Sequence, residues 1–147
     1  MNLPVVIQRL TKEAILPFRA TEGSAAFDLI YPGEVIIHPG FVLKLPLGFA
    51  MALPPFTCAL ILPRSGLASQ QNLRPANTPG LIDPDYRGEI IVALENFGQE
   101  RQYLSARTKV AQMLILPLNA VEMAEADSLP ETVRGAGGFG STGAIHA

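Results

Sequence analysis

Short apolar runs recur along the whole chain, most of them bounded by proline or glycine. They are Val5 to Ile7, Ala26 to Ile30, Glu34 to Ile37, Phe41 to Leu45, Gly48 to Leu53, Thr57 to Leu62, Glu89 to Leu94, Gln102 to Leu104, Val110 to Leu116 and Ala120 to Met123. Many of their residues are β-branched or aromatic, which suits a pleated surface. Turn signals separate them: Pro32-Gly33, Pro39-Gly40, Pro54-Pro55, Pro79-Gly80, Asp83-Pro84-Asp85 and Phe97-Gly98. This predicts an all-β domain of many short strands, a sandwich or jelly roll. The exception is Ser65 to Gln71, after Pro63, where the chain has room for one or two helical turns. Glu89 to Leu94 and Met113 to Leu116 are apolar at successive positions, hence on both faces. In a small domain part of the cover for such strands can come from a second copy, so the pattern predicts an oligomer.

Composition narrows the class. The chain has 147 residues, 48% hydrophobic and 16% charged, which fits one compact domain with its own core. The reading is a core over about 1–129 and a mobile C-terminal lid over about 130–147. Thirteen prolines and thirteen glycines leave few windows for a helix. A net charge of −2 argues against general nucleic-acid or membrane-surface binding, so an anionic ligand needs a local cluster of cations. The single cysteine, Cys58, excludes an internal disulfide and fits a reducing, cytoplasmic setting. His38 and His146 lie too far apart for zinc-ligand spacing. We find no signal-peptide pattern, and the longest apolar stretch, Phe49 to Pro63, is broken by Pro54 and Pro55 and too short to span a membrane.

Five segments carry candidate chemistry. Asp28 is an acid inside an apolar run, able to hold magnesium directly or through water, or to face solvent. Pro63-Arg64-Ser65-Gly66 opens the short helix, where free N–H groups suit an anion; Arg64 and Ser65 either clamp a phosphate or serve as surface charge and cap. Asn77 to Ile90 reads as a β-hairpin with a polar tip. Its mouth can pair with the edge of a flat base, Asp83 can activate a water, and Tyr86 can pack on a sugar; ordinary turn chemistry explains the same residues. Gln112, inside an apolar run, needs a partner, either a phosphate oxygen or a backbone group. The tail Arg134 to Gly143 holds a cation, an aromatic ring, two hydroxyls and five glycines. Alone it is too polar to order itself, yet it has the parts of a lid over a ring bearing phosphates.

Taken in order, Ala25-Ala26-Phe27-Asp28-Leu29, Pro63 to Ala68, Gly80 to Gly88, Lys109-Val110-Ala111-Gln112 and the Arg134 to Gly143 tail resemble the five motifs of the trimeric dUTP diphosphatases. The resemblance covers nearly the whole chain. It implies a jelly-roll-like distorted β-barrel, a homotrimer with sites shared between subunits, and magnesium-assisted hydrolysis of dUTP to dUMP and pyrophosphate. That reaction keeps uracil out of DNA and supplies dUMP for thymidylate synthesis. It also implies roles. Asp83 would be the base for the water attacking the α-phosphorus, with Arg134 closing on the phosphates. Tyr86 would pack under the deoxyribose and leave no room for a 2′-hydroxyl. Asn77 and the backbone around Gly80 and Ile91 would read uracil. Arg64, Ser65, Gly66 and Gln112 would hold phosphates, and Asp28 a magnesium-bound water. Phe139 would stack on the base, with Gly140, Ser141 and Thr142 completing the lid.

Three positions depart from the family pattern. Ala26 stands where glycine is usual. Arg107-Thr108-Lys109 replaces a Gly-x-Arg, exchanging a fork for a point charge. Pro84 lies between the two acids of the hairpin tip. A dCTP deaminase of the same fold is the nearest alternative, but Ala93 occupies the position of its catalytic glutamate, and that family lacks the lid. A non-catalytic nucleotide-binding trimer is a further alternative.

Overall fold

The computed structural model describes residues 4–138. Ten strands and one helix follow in order: β1 (Val6–Arg9), β2 (Phe27–Tyr31), β3 (Val35–Ile37), β4 (Val42–Ala52), β5 (Thr57–Leu62), α1 (Ser65–Gln71), β6 (Leu73–Pro75), β7 (Gly80–Ile82), β8 (Glu89–Asn96), β9 (Gln102–Leu104) and β10 (Thr108–Pro117). They form a four-stranded sheet β1-β4-β8-β6, a second four-stranded sheet β2-β10-β5-β7, and a ribbon of β3 with β9. Inward side chains of both large sheets meet in one core. Leu45, Leu47, Phe49, Val92 and Leu94 come from the first; Leu29, Ala59, Ile61, Val110 and Met113 come from the second. The architecture is all-β and jelly-roll-like, as the pattern of short strands predicts.

Several elements differ from expectation. The runs Phe41 to Leu45 and Gly48 to Leu53 are one bent strand, β4, whose pairing with β8 shifts register between Pro46 and Ala50. Gly48 sits in the bend with φ +77, a conformation that favours glycine. The segment Asn77 to Ile90 is not a simple hairpin: β7 pairs with β5 in one sheet, while β8 pairs with β4 and β6 in the other. Its tip therefore bridges the two sheets. β6 was not anticipated, and Ala120 to Met123 forms no strand; Val121 and Met123 lie in solvent. β8 alternates rather than being covered on both faces, with Ile90, Val92 and Leu94 buried and Ile91 46% exposed. Helix α1 runs as expected. Arg64 is its N-cap residue, without a side-chain capping bond, and Asn72 closes it in the left-handed conformation with its N–H on the Leu67 carbonyl.

Candidate active site

The bridge between the sheets encloses a cavity of about 190 Å³ lined by Ile61, Asn77, Gly80, Asp83, Tyr86 and Ile91 among others. Strand pairing explains why its wall is polar. The Ala76 N–H donates to the Ala93 carbonyl at 2.7 Å, so Ala93 directs its backbone groups toward β6. In a strand, alternate residues direct theirs to the same side, so Ile91 does too. By Ile91 the β6 strand has ended and the chain has turned away through Asn77 to Pro79. On the other side Ile91 is opposite Pro46 in a non-hydrogen-bonded pair, so β4 takes up neither of its backbone groups. The Ile91 N–H and C=O thus form an open strand edge inside the cavity. Gly80 lies opposite, packed so closely that a β-carbon there would approach the Asn77 amide and the Ile61 side chain to 3.3 Å.

At the cavity mouth the chain turns at Asp83, whose carbonyl accepts the Tyr86 N–H at 3.2 Å; the Asp83 side chain is exposed. Arg87 Nη1 donates to the Pro84 carbonyl at 2.8 Å and the Tyr86 carbonyl at 2.9 Å, stiffening the tip. The Tyr86 ring covers Gly88, where any side chain would run into it, and its hydroxyl donates to the Glu89 carbonyl at 3.2 Å.

A second cluster lies where β2, β10, β5 and the start of α1 converge. Asp28, Gln112 and Leu62 are neighbours in register across β2, β10 and β5. Asp28 is buried, with its Oδ1 accepting from Arg64 Nη1 and its Oδ2 lying 2.7 Å from Lys109 Nζ. Lys109 also sits 5.3 Å from the centre of the Phe18 ring. Gln112 Nε2 donates to the Pro63 carbonyl at 2.8 Å, which orients the residue preceding Arg64. The two cations outnumber the one carboxylate, so the cluster carries the local positive charge an anion needs. Ala20, Ser24, Ala25, Ala26, Asp28, Leu62 and Gln112 line an open cavity beside it.

The sequence-predicted residues thus divide into three sets. Asn77, Gly80, Asp83, Tyr86 and Ile91 share one cavity; Asp28 and Gln112 share another, with Arg64 beside it through its ion pair to Asp28. Ser65 and Gly66 follow Arg64 in the first turn of α1. Arg134 joins neither; it is exposed, with its Nε donating to the Gly137 carbonyl at 2.8 Å. Phe139, Gly140, Ser141 and Thr142 lie outside the described residues. Two participants escaped sequence reasoning. Lys109 is a partner of Asp28 rather than a free charge. Glu89, at the base of the bridge, accepts the Gly48 N–H through Oε1 at 2.8 Å. Neither pairing leaves a local sequence signal, since each joins residues far apart in the chain.

A fissure with an open strand edge can take the edge of a flat ring, and a separate cationic cluster can take anionic groups. Comparison with known proteins shows the family. The dUTPase family model matches residues 12–143. The deoxyuridine 5′-triphosphate nucleotidohydrolase of Clostridium kluyveri is 44% identical over 143 residues, covering 97% of this chain and all of that protein. The protein of the same name from Dictyoglomus turgidum is 46% identical over 144 residues, covering 95% and 97%. In structure, a point mutant of the Staphylococcus bacteriophage 80alpha dUTPase with dUpNHpp superposes with a TM-score of 0.88 at 20% identity, covering 97% of this chain and all of the other. A mutant dUTPase from phage phi11 of S. aureus, whose structure concerns coordination of a structural Mg(II) ion, superposes with a TM-score of 0.77 at 18% identity, covering 86% and 98%. The chain belongs to the dUTPase family. No helix among the described residues is long and apolar enough to cross a membrane.

Proposed function

We propose that the protein hydrolyses dUTP to dUMP and pyrophosphate. The observation that carries this reading is the open strand edge at Ile91 facing Gly80 and Asn77, with Tyr86 and Asp83 at the mouth of the same cavity. Uracil presents an acceptor–donor–acceptor edge, and a backbone N–H and C=O with an amide side chain complement such an edge. Tyr86 then lies where the sugar leaves the cavity and excludes a 2′-hydroxyl. Asp83 takes a proton from water as the water oxygen bonds to the α-phosphorus. The bond from that phosphorus to the pyrophosphate oxygen breaks, and pyrophosphate leaves with the bonding pair. Arg64 and Gln112 hold phosphate oxygens. Such chemistry rests on positioning and charge neutralisation and needs no covalent nucleophile.

Magnesium fits this arrangement only as a companion of the triphosphate. Among the described residues no group of three or more acidic, histidine or cysteine side chains converges to cage a metal. Asp28 has both oxygens in ion pairs, yet a carboxylate has about four acceptor sites, so it can still accept a bond from a metal-bound water. When bound, the metal supplies neutralisation of charge on the phosphate oxygens.

The two cavities have separate linings, which fits a homotrimer whose sites combine segments of different subunits. Pyrophosphate release measured with dUTP, UTP, dTTP and dCTP, with and without magnesium, tests the reading. The expected result is release from dUTP alone, faster with magnesium. Equal turnover of UTP, or ammonia release from dCTP, would overturn it.

A further inference from the structure

Glu89 is placed unlike any other acid in the chain. Its carboxylate reaches across the bend of β4 to accept the Gly48 N–H at 2.8 Å, and its own carbonyl accepts the Tyr86 hydroxyl at 3.2 Å. The bend is where β4 leaves its ladder with β8, so the Gly48 N–H has lost its strand partner and the carboxylate replaces it. Gly48 is itself fixed from the other side. Its carbonyl accepts the Leu10 and Thr11 N–H groups at 2.8 and 3.2 Å, and a β-carbon on it would run into Thr11 and Ala14. Glu89 therefore ties the base of the bridge to a rigid point in the opposite strand. It lines the Tyr86 cavity on one face and a second cavity, with Thr11, Tyr31 and Pro46, on the other. The Tyr86 backbone is held by the turn, its N–H on the Asp83 carbonyl and its own carbonyl accepting from Arg87, but these bonds do not fix the ring. The residue is 45% exposed, with its ring resting on Gly88, and its hydroxyl bond to Glu89 is its only described side-chain hydrogen bond.

We infer that Glu89 is a positioning residue for sugar discrimination: through Gly48 it fixes the carbonyl that anchors Tyr86, and so holds the ring where it excludes a 2′-hydroxyl. The inference rests on the functional reading above and adds to it the source of the selectivity. A selective site needs a wall that does not yield. A tyrosine on a mobile turn would swing aside for a ribose at little cost, whereas one anchored to a strand bend excludes it.

The test compares kcat/KM for dUTP and UTP in the wild type, Glu89→Ala, Glu89→Gln and Tyr86→Phe, with melting temperatures measured alongside. In Glu89→Ala the Gly48 N–H loses its acceptor, and kcat/KM for UTP is expected to rise by about tenfold while that for dUTP changes little. Destabilisation alone lowers both values and cannot raise one. Glu89→Gln keeps an amide oxygen for the Gly48 N–H and is expected to retain wild-type selectivity. Tyr86→Phe breaks the anchor from its other end and is expected to lower the dUTP-to-UTP ratio of kcat/KM as Glu89→Ala does, whatever it does to dUTP turnover itself, with the double mutant no less selective than either. A discriminating wild type whose selectivity survives Glu89→Ala overturns this inference alone. Should Glu89→Ala not fold, Tyr86→Phe decides, and full selectivity in that variant overturns the inference. A wild type that treats dUTP and UTP alike removes the functional reading and this inference with it.

Discussion

Among the described residues three other than glycine hold positive φ: Phe56 at 60°, Asn72 at 54° and Arg107 at 69°. For Asn72 the cost is small, since asparagine tolerates the left-handed region, and the residue ends α1. Arg107 is different. It opens the strand that carries Lys109 and Gln112, its side chain is exposed, and its contribution to the fold is a backbone N–H donated to the Tyr31 carbonyl at 3.0 Å. Glycine would make that bond equally well and without the steric penalty of a β-carbon, about 1–2 kcal/mol. Against this stands the extra freedom glycine has in the unfolded chain, about 0.5–1 kcal/mol. Arg107→Gly is therefore expected to stabilise the protein by about 0.5–1 kcal/mol, a rise in melting temperature of about 1–4 °C, read by calorimetry. An unchanged or lower melting temperature would mean that the arginine side chain does something the backbone does not require. The family pattern has glycine at this position, and the dihedral angle gives the physical reason.

At the scale of elements, the site is made by strands that meet in register after long separations in sequence. β10 sets Gln112 beside Asp28 of β2 on one side and Leu62 of β5 on the other, and Leu62 leads through Pro63 to Arg64. The three charges of the cluster thus come from β2, β10 and the start of α1. Asp28 is the buried member, while Arg64 and Lys109 are each about one-third exposed, so solvent moderates their interaction. Asp28→Asn leaves two cations facing one another without an anion. It is expected to lower stability by about 1–3 kcal/mol, measured by urea unfolding. It should also tighten metal-free binding of a triphosphate and weaken the dependence of turnover on magnesium. Looser metal-free binding would mean that Asp28 shapes the site rather than opposing the phosphates. The strands themselves were legible because proline and glycine mark their ends, and α1 because a turn-free window follows Pro63. What the pattern does not carry is partner choice. The segment Asn77 to Ile90, with its polar Asp-Pro-Asp tip, reads as a hairpin, but nothing local says that its arms join different sheets. The acid at position 89 looks like a strand-end charge until β4 bends to meet it. The motif residues were legible only through their order along the chain, since each alone is ordinary turn or strand chemistry.

At the scale of the molecule, the proposed function requires Asp83 and Arg134 to act on one substrate. After β10 the chain runs in solvent, with Val121, Met123, Leu129 and Val133 all exposed and Arg134 bonded to Gly137 nearby. Apolar side chains spaced along an otherwise polar tail gain only by burial against another surface. The tail has not found that surface on its own domain, which favours delivery of Arg134 to the site of another subunit. In the proposed homotrimer, closed threefold symmetry would give every site an equivalent donor. Two variants separate the possibilities. Asp83→Asn is expected to bind dUTP but not turn it over, and Arg134→Ala to slow chemistry by roughly 10²-fold or more. If each site takes its base from one subunit and its arginine from another, equal mixtures after subunit exchange contain some sites with both wild-type residues. Those make up about a quarter of the total under random assembly. Activity should then recover to roughly that fraction of wild type, well above either variant alone. If base and arginine act within a single chain, every site in the mixture lacks one of them. No recovery appears however completely the subunits exchange, and Arg134 must then reach the Asp83 cavity of its own chain by a path the tail does not take here.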